Sequence, residues 1–464
     1  MDIFSALQTS VSGLQAQSYA ISNISGNIAN SQTTGYKRID TSFVDLMAET
    51  TPKREVAGTV LAQAQLTNSL QGNVIASQIP TNMAINGQGF FTVALKTGDA
   101  GGQATFGATN LYTRRGDFAQ DKDGYLVNGA GAFLTGSNVD PNSGQVTGTG
   151  PIKIGNMTLP AKQTTTINYA ANLPATPITN ASVKSTAAGA YLYTGALAMT
   201  ATGAPASTGG AADVAALMDN SIVGPSVTAY TENGAPVAIT TRWAKVQDAT
   251  PDGAQDAVWN LFYQSASGSA AGVTPSTPPV WTNIGAAFTF DAAGQPTTTA
   301  TGPIPIPDLE VNGIELDGVS LNIGTGGLTQ YANTSGAATT NTLTQNGNSA
   351  GTLTSVAVGS DGNIKGTFSN GTVATVATVG IARFTNPDGL KPDSRGNYLQ
   401  TDASGGPLSG LNGGTISGAS LEQSNTDIAS EFSKMIVTQQ AYSANTRVMS
   451  TAQTMMSDLM NVIR

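Results

Sequence analysis

The sequence predicts a mainly β fold with paired terminal α-helices: nested, discontinuous β domains between two ends that form a coiled-coil-like helical domain. Three observations predict it. Apolar residues recur at alternating steps of three and four at both termini. Asn-Gly and Asp-Gly pairs, twelve in all, are scattered between them. The middle of the chain turns to Thr, Ala, Ser, Gly and Pro.

The C-terminal stretch from Ser424 to Arg464 contains no Gly and no Pro. Its apolar stripe is Ile428, Phe432, Met435, Tyr442, Met449, Met456, Met460 and Ile463, with polar slots at Gln439, Thr446 and Gln453. The N-terminal stretch repeats the pattern with Phe4, Leu7, Val11, Leu14, Ile21 and Ile28, and with Ser18 and Ser25 in the remaining slots. A heptad stripe marks a helix that needs a partner helix. Gly13, Gly26 and several serines weaken the first helix. It is therefore expected to order only in company: the two ends meet each other, and they meet other copies of the chain. The methionines suit a seam that shifts without breaking, because Met is unbranched and adaptable.

Composition narrows the function. Of the 464 residues, 39% are hydrophobic and only 11% are charged, with 54 glycines. Ordinary globular domains carry roughly 25% charged residues. So few charges leave little repulsion between copies. The net charge of −9 argues against nucleic acid, whose partners show a basic footprint. Cysteine and histidine are both absent. That removes disulfides, thiolate nucleophiles, zinc–sulfur sites and the commonest general base. No apolar run is long enough for a transmembrane helix, so no membrane insertion is expected. The first basic residue is Lys37, so a signal peptide with a basic start is not expected either.

In chain order, residues 1–30 and 424–464 are the helical ends. Asn30 to Gly35 is a cluster of helix-stopping residues, and Gly35 suits a left-handed position past a helix end. Residues 31–70, interrupted by Pro52, read as a linker with some extended structure. A first β domain is expected over 71–164 and 326–423, with an outer β domain inserted at 165–325. Asn-Gly and Asp-Gly are hairpin signals because both turn positions of a two-residue loop need φ > 0. Their spread indicates antiparallel sheets. Within the insert, residues 175–220 are nearly low-complexity. Ser226–Tyr230 and Trp259–Tyr263 read as strands, with Trp243 and Trp281 adding bulk, and Leu328–Tyr331 starts the return.

No catalytic set emerges, and no cofactor or metal is expected. Asp121-Lys122-Asp123-Gly124 resembles the start of a calcium loop, but Tyr125-Leu126-Val127 continues it as a strand, so a hairpin turn is expected. Gly324-Thr325-Gly326-Gly327 has no following Gly-Lys and is read as a loop. Arg114 and Arg115 beside Asp117 read as a solvated or interface cluster.

Four stretches resemble bacterial flagellar axial proteins, and most closely flagellar hook proteins. The first is Ser12-Gly13-Leu14 with Asn27-Ile28-Ala29-Asn30 and Thr33-Thr34-Gly35-Tyr36-Lys37. The second is Ile85-Asn86-Gly87 with Gly89-Phe90-Phe91. The third is Tyr112 to Phe118, including Arg114 and Gly116, with Asp123 to Val127. The fourth is Ser424-Asn425 with Met435-Ile436, Gln439, Tyr442, Ala444 and Asn445. Rod, hook and hook-associated proteins share such ends. The large insert and Phe384 to Leu390 resemble hook proteins. The resemblance implies a non-enzymatic, tubular homopolymer that joins rod to filament as a universal joint. It implies paired helices inside the tube, the first β domain as a middle shell and the insert outermost. It also implies partners among rod, hook-cap and hook–filament junction proteins, type III flagellar export, and location in the flagellum outside the cell. Rival readings are another axial component, such as a distal-rod or junction protein, and a secreted adhesin or glycan-binding β protein.

Overall fold

A computed structural model describes residues 3–46, 59–199, 211–266, 280–297, 303–306, 309–324 and 327–462. Its described residues contain four α-helices: α1 (Ile3–Ala29), α2 (Asn180–Lys184), α3 (Ala211–Asp219) and α4 (Ile428–Val462). The rest is strand and turn, with a short 3-10 helix at Pro387–Gly389. The chain divides into two compact units, Met1–Met157 with Leu353–Arg464, and Thr158–Thr352.

In the first unit, the stretch expected as a linker forms an antiparallel hairpin, β1 (Ile39–Leu46) and β2 (Thr59–Leu66), aligned from Ile39 opposite Leu66 to Leu46 opposite Thr59. The hairpin lies along α1. Ser12 Oγ donates to Val60 O at 2.7 Å, and Asn23 Nδ2 donates to Thr41 Oγ1 at 2.9 Å. The helix thus has company within its own chain. Pro52 lies outside the described residues.

The β body of this unit needs both passes of the chain. Phe90–Ala100 pairs with Leu111–Thr113 and Ala132–Val139 from its own pass, and with Ile381–Arg383 from the return. Met83–Asn86 pairs with Thr415–Gly418, and Val74–Ala76 with Ser420–Glu422. The core follows the same rule. Phe90 meets Phe384 and Tyr398 edge-on, at centroid distances of 6.1 and 5.6 Å. Phe90 and Tyr112 of the first pass and Phe384 and Tyr398 of the return bury one another in a single cluster.

The second unit is built on a four-stranded antiparallel meander, Ser221–Tyr230, Pro236–Gln247, Ala257–Ala266 and Val280–Phe290. Strand alternation sends successive side chains to opposite faces. Trp243, Trp259, Leu261 and Phe288 enter the main core with Tyr169, whereas Ala244, Phe262 and Trp281 enter a second core with Tyr193, Leu197, Val214 and Leu217. Both faces are covered, which explains the apolar run at 257–263, interrupted only by Asn260. The stretch 175–220 is therefore not plain loop. Its residues 190–199 and α3 supply the second cover, and Asn260 holds residue 199 by accepting from Met199 N and donating to Met199 O.

The expected insert boundaries move outward. Leu328–Thr329 runs parallel to Thr166–Asn172, and Thr339–Gln345 runs antiparallel to it. These strands complete a sheet of the second unit, so the insert spans 158–352, not 165–325.

Turn chemistry held with one change. Seven of the twelve Asn-Gly and Asp-Gly pairs, beginning at Asp123, Asn128, Asn233, Asp252, Asn312, Asp361 and Asn370, join strands that pair with each other. Nine of the glycines have φ > 0, but only Asn312 and Asn412 join them there. Most of the loops are four or five residues long, and such loops need one left-handed residue after a type I turn, not two. Asp121 begins one of them, its Oδ1 accepting from Tyr125 N at 2.7 Å.

Candidate assembly interface

α4 opens with Asp427, whose side chain accepts from Ser430 N at 2.7 Å and caps the helix. Its hydroxyls are largely self-satisfied. Ser433, Thr438, Thr451 and Thr454 each donate to the carbonyl four residues back. α1 and α4 pack together, mostly beside the stripe that periodicity suggests and only partly along it.

The face of α1 buried in the chain is Ser10, Gly13, Ala16, Ala20, Ile24 and Asn27. The covered face of α4 is Glu431, Met435, Thr438, Ala441, Asn445, Met449, Ala452 and Met456. Most of these positions lie one residue before the apolar stripe, a rotation of about 100°. Small residues allow this. A methyl group at Gly13 would lie 2.8 Å from Asn445 Nδ2, so the backbones approach closely there.

Of the expected seam residues, Met435, Met449 and Met456 lie half-buried on the covered face of α4, and Leu7, Leu14, Ile21 and Ile28 are half-buried at the flank of the α1 face. Val11, Ile428, Phe432, Tyr442 and Met460 are exposed, not seated between the two helices. The shift has a plain cause: large side chains on both helices would hold them apart, and small or polar residues make up most of the contact within the chain. The side chains of Phe4 and Ile463 lie outside the described residues. Ile428, Phe432 and Ile436, spaced by four, leave an apolar strip on one side of α4, with Phe432 50% exposed, and Val437, Val448 and Met455 are exposed on another side, with Val437 at 65%.

At the base of the helix pair sits a buried charge cluster. Glu422 Oε1 accepts from Lys37 Nζ at 2.5 Å and from Gly72 N at 2.9 Å. Its Oε2 accepts from Arg114 at 3.2 Å. The side chains of Lys37, Arg114 and Glu422 are 1%, 3% and 0% exposed. Arg114 also donates to Ile85 O and Gly87 O, and stacks 5.3 Å from the Phe90 centroid. Of the cluster expected to be solvated or at an interface, Arg114 is buried, and Arg115, paired with Asp117 at 2.8 Å, is half-exposed. Burial pulls the Lys37 ammonium below its usual pKa, against the pull of Glu422. Burial pushes the Tyr36 and Tyr398 phenols up.

The motif residues converge here. Asn27 Nδ2 donates to Glu431 Oε2 and to Ile39 O, and its Oδ1 accepts from Tyr36 OH. Lys434 bridges Glu431 and Asp40. Asn425 Oδ1 accepts from Arg38 N. Asn30 ends α1 by donating to Gly26 O, and Gly35 takes φ +67° while its N donates to Glu422 O. Gly87 and Gly89 also have φ > 0. A methyl group on Gly116 would overlap Met83 O, and Phe118 is fully buried against Phe91. Gln439 is exposed and stands apart. Sequence reasoning missed Glu422 as a site residue. One signal was available: it is the only charge between Asp402 and Asp427.

Comparison with known proteins agrees with this anatomy. Residues 7–37 match the family described as flagella basal body rod protein, and residues 417–462 the flagellar basal body rod FlgEFG protein C-terminal family. Residues 84–172 match the flagellar hook protein FlgE/F/G D1 domain, and 223–348 the flagellar basal body protein FlaE D2 domain. The flagellar hook protein FlgE of Brucella abortus is 30% identical over 470 residues, covering all of both chains. The chain belongs to the flagellar hook protein family. The hook proteins of Caulobacter vibrioides, 26% identical over the whole of both chains, and Salmonella typhimurium, 27% identical over 97% of this chain and 98% of that one, extend the match. A crystal structure of Helicobacter pylori FlgE2 aligns with 74% of this chain and 98% of that one, at 15% identity and a TM-score of 0.48. The chain is a structural subunit of the flagellar hook, and its place is the flagellum.

Proposed function

We propose that the chain is the repeating unit of a hollow homopolymer that joins rod to filament and passes torque as a universal joint, without catalysis. The helices of residues 1–30 and 424–464 form its inner layer, and the apolar strip on α4 is the contact between copies. The observation that carries this is the strip left open: the chain covers the face of α4 around Glu431, Ala441 and Ala452 and leaves Ile428, Phe432 and Ile436 outside on one side. Covering one such side chain contributes about 1.5–3 kcal/mol, and the self-bonded hydroxyls of α4 add little desolvation cost. Rod, cap and junction proteins and the flagellar export apparatus are its expected partners, with the assembled form outside the cell.

The test is assembly of the purified chain. Phe432→Asp and Ile436→Asp place charges on an exposed strip, so circular dichroism stays that of the parent. Tubes seen by electron microscopy should vanish in both variants. Tubes of normal yield from both would overturn the assignment of this strip.

A further inference from the structure

The geometry points to a charge interlock: Glu422 makes docking of the two helical ends onto the β body mutually dependent, because Lys37 and Arg114 repel each other until it arrives. The two cations come from different parts of the chain. Lys37 follows the end of α1, Arg114 belongs to the first pass of the β body, and Glu422 ends the return strand Ser420–Glu422, which pairs with Val74–Ala76 and leads into α4. All three are buried, and the one carboxylate serves both cations through separate oxygens, Oε1 to Lys37 and Oε2 to Arg114.

The backbone is threaded through the same point. Gly35 N donates to Glu422 O at 2.8 Å, Gln423 N to Asn73 O at 2.8 Å, and Asn425 N to Tyr36 O at 3.3 Å. With Gly72 N on the carboxylate, the segments 35–38, 70–73 and 422–425 close together around one negative charge. Remove that charge and two buried cations face each other, with Lys37 left its bond to Leu70 O at 2.6 Å. An unpaired buried cation is far more costly than a missing pair. The N-terminal segment then leaves the body, and α1 loses its anchor at Asn27–Glu431. A chain whose C-terminal part has not yet folded back therefore keeps its N-terminal end off the body. Both helices become available for assembly together, or neither does.

Full-length variants test this by amide hydrogen exchange, with protection followed separately over residues 10–38, over α4 and over the insert. Glu422→Gln should lower protection at 10–38 by roughly a hundredfold, although α1 itself never touches Glu422, and should leave the insert unchanged. Lys37→Met should stay near the parent, because one cation and one carboxylate remain. The double variant Lys37→Met with Glu422→Gln should recover most of the lost protection. Equal losses in the two single variants, or no recovery in the double variant, would reduce the cluster to an ordinary salt bridge and overturn the interlock. If Glu422→Gln fails to fold at all, recovery of folding by the double variant decides in favour, and continued failure decides against.

Discussion

At the scale of single residues, the junction below the helices has opposing pH responses. Lys37 loses its proton more readily in the folded chain than in the unfolded one, because burial disfavours its charge. Its penalty is therefore full at neutral pH and fades as pH climbs from the lowered value to the unfolded value of 10.5. Tyr36 and Tyr398 act the other way. Burial keeps them protonated past 10.0, so their contribution is complete below that pH and lost above it, as the unfolded phenols ionise. Urea midpoints should hold or rise slightly up to about pH 10 and fall steeply beyond. Tyrosinate absorbance should show a late-ionising group in the folded chain that merges with the rest on unfolding. Gly35 offers a second residue-scale test. It sits at φ +67°, and an added methyl group would lie 2.7 Å from the Arg114 carbonyl carbon. Gly35→Ala should cost about 1–3 kcal/mol from backbone strain alone, with the clash added, read as a lowered urea midpoint.

At the scale of the elements, the two glycines of α1 are not equivalent, although both read as helix weakeners. Nothing lies within 4 Å of a methyl group at Gly26, so Gly26→Ala should stabilise the helix by about 1 kcal/mol. Gly13 faces Asn445, and Gly13→Leu should wedge the helices apart at a cost of about 1–3 kcal/mol. The helical signal at 222 nm should melt higher in the first variant and lower in the second. A lower melt for both would mean that close approach governs the whole length of α1. The β1–β2 hairpin belongs to this scale too. Its neighbour is α1, and its contacts at Ser12 and Asn23 turn a stretch without strong local signals into a third rail of the helical end.

At the scale of the whole molecule, the two units carry separate optical labels. All three tryptophans, Trp243, Trp259 and Trp281, lie in the unit of residues 158–352, whereas both long helices lie in the other. Glu422→Gln should therefore shift the 222 nm unfolding curve to lower urea and leave the tryptophan fluorescence curve in place. Coincident shifts would show the two units to unfold as one. Truncation after Ser424 removes α4 but keeps Glu422, so tryptophan fluorescence should stay native while α1 becomes protease-sensitive and assembly stops.

The sequence by itself determined the class of fold, the helical ends, most of the hairpins and the family. Each rests on short-range physics. The heptad steps, the Asn-Gly and Asp-Gly turns and the signature around Asn27 and Gly35 all act within a few residues of themselves. It also showed that α4 has an apolar stripe, but not what would cover it. Only the tertiary structure decided that Ser10, Gly13, Ala16 and Ala20 win the contact and leave Phe432 and Val437 outside, because closeness of approach depends on the facing helix. Only it moved the insert boundary to 158 and 352, because Thr339–Gln345 finds its partner strand some 170 residues upstream. Lys37, Arg114 and Glu422 each read locally as an ordinary charged side chain. They become one buried cluster through pairing across 308 and 385 positions of sequence, a distance that no periodicity or turn chemistry spans.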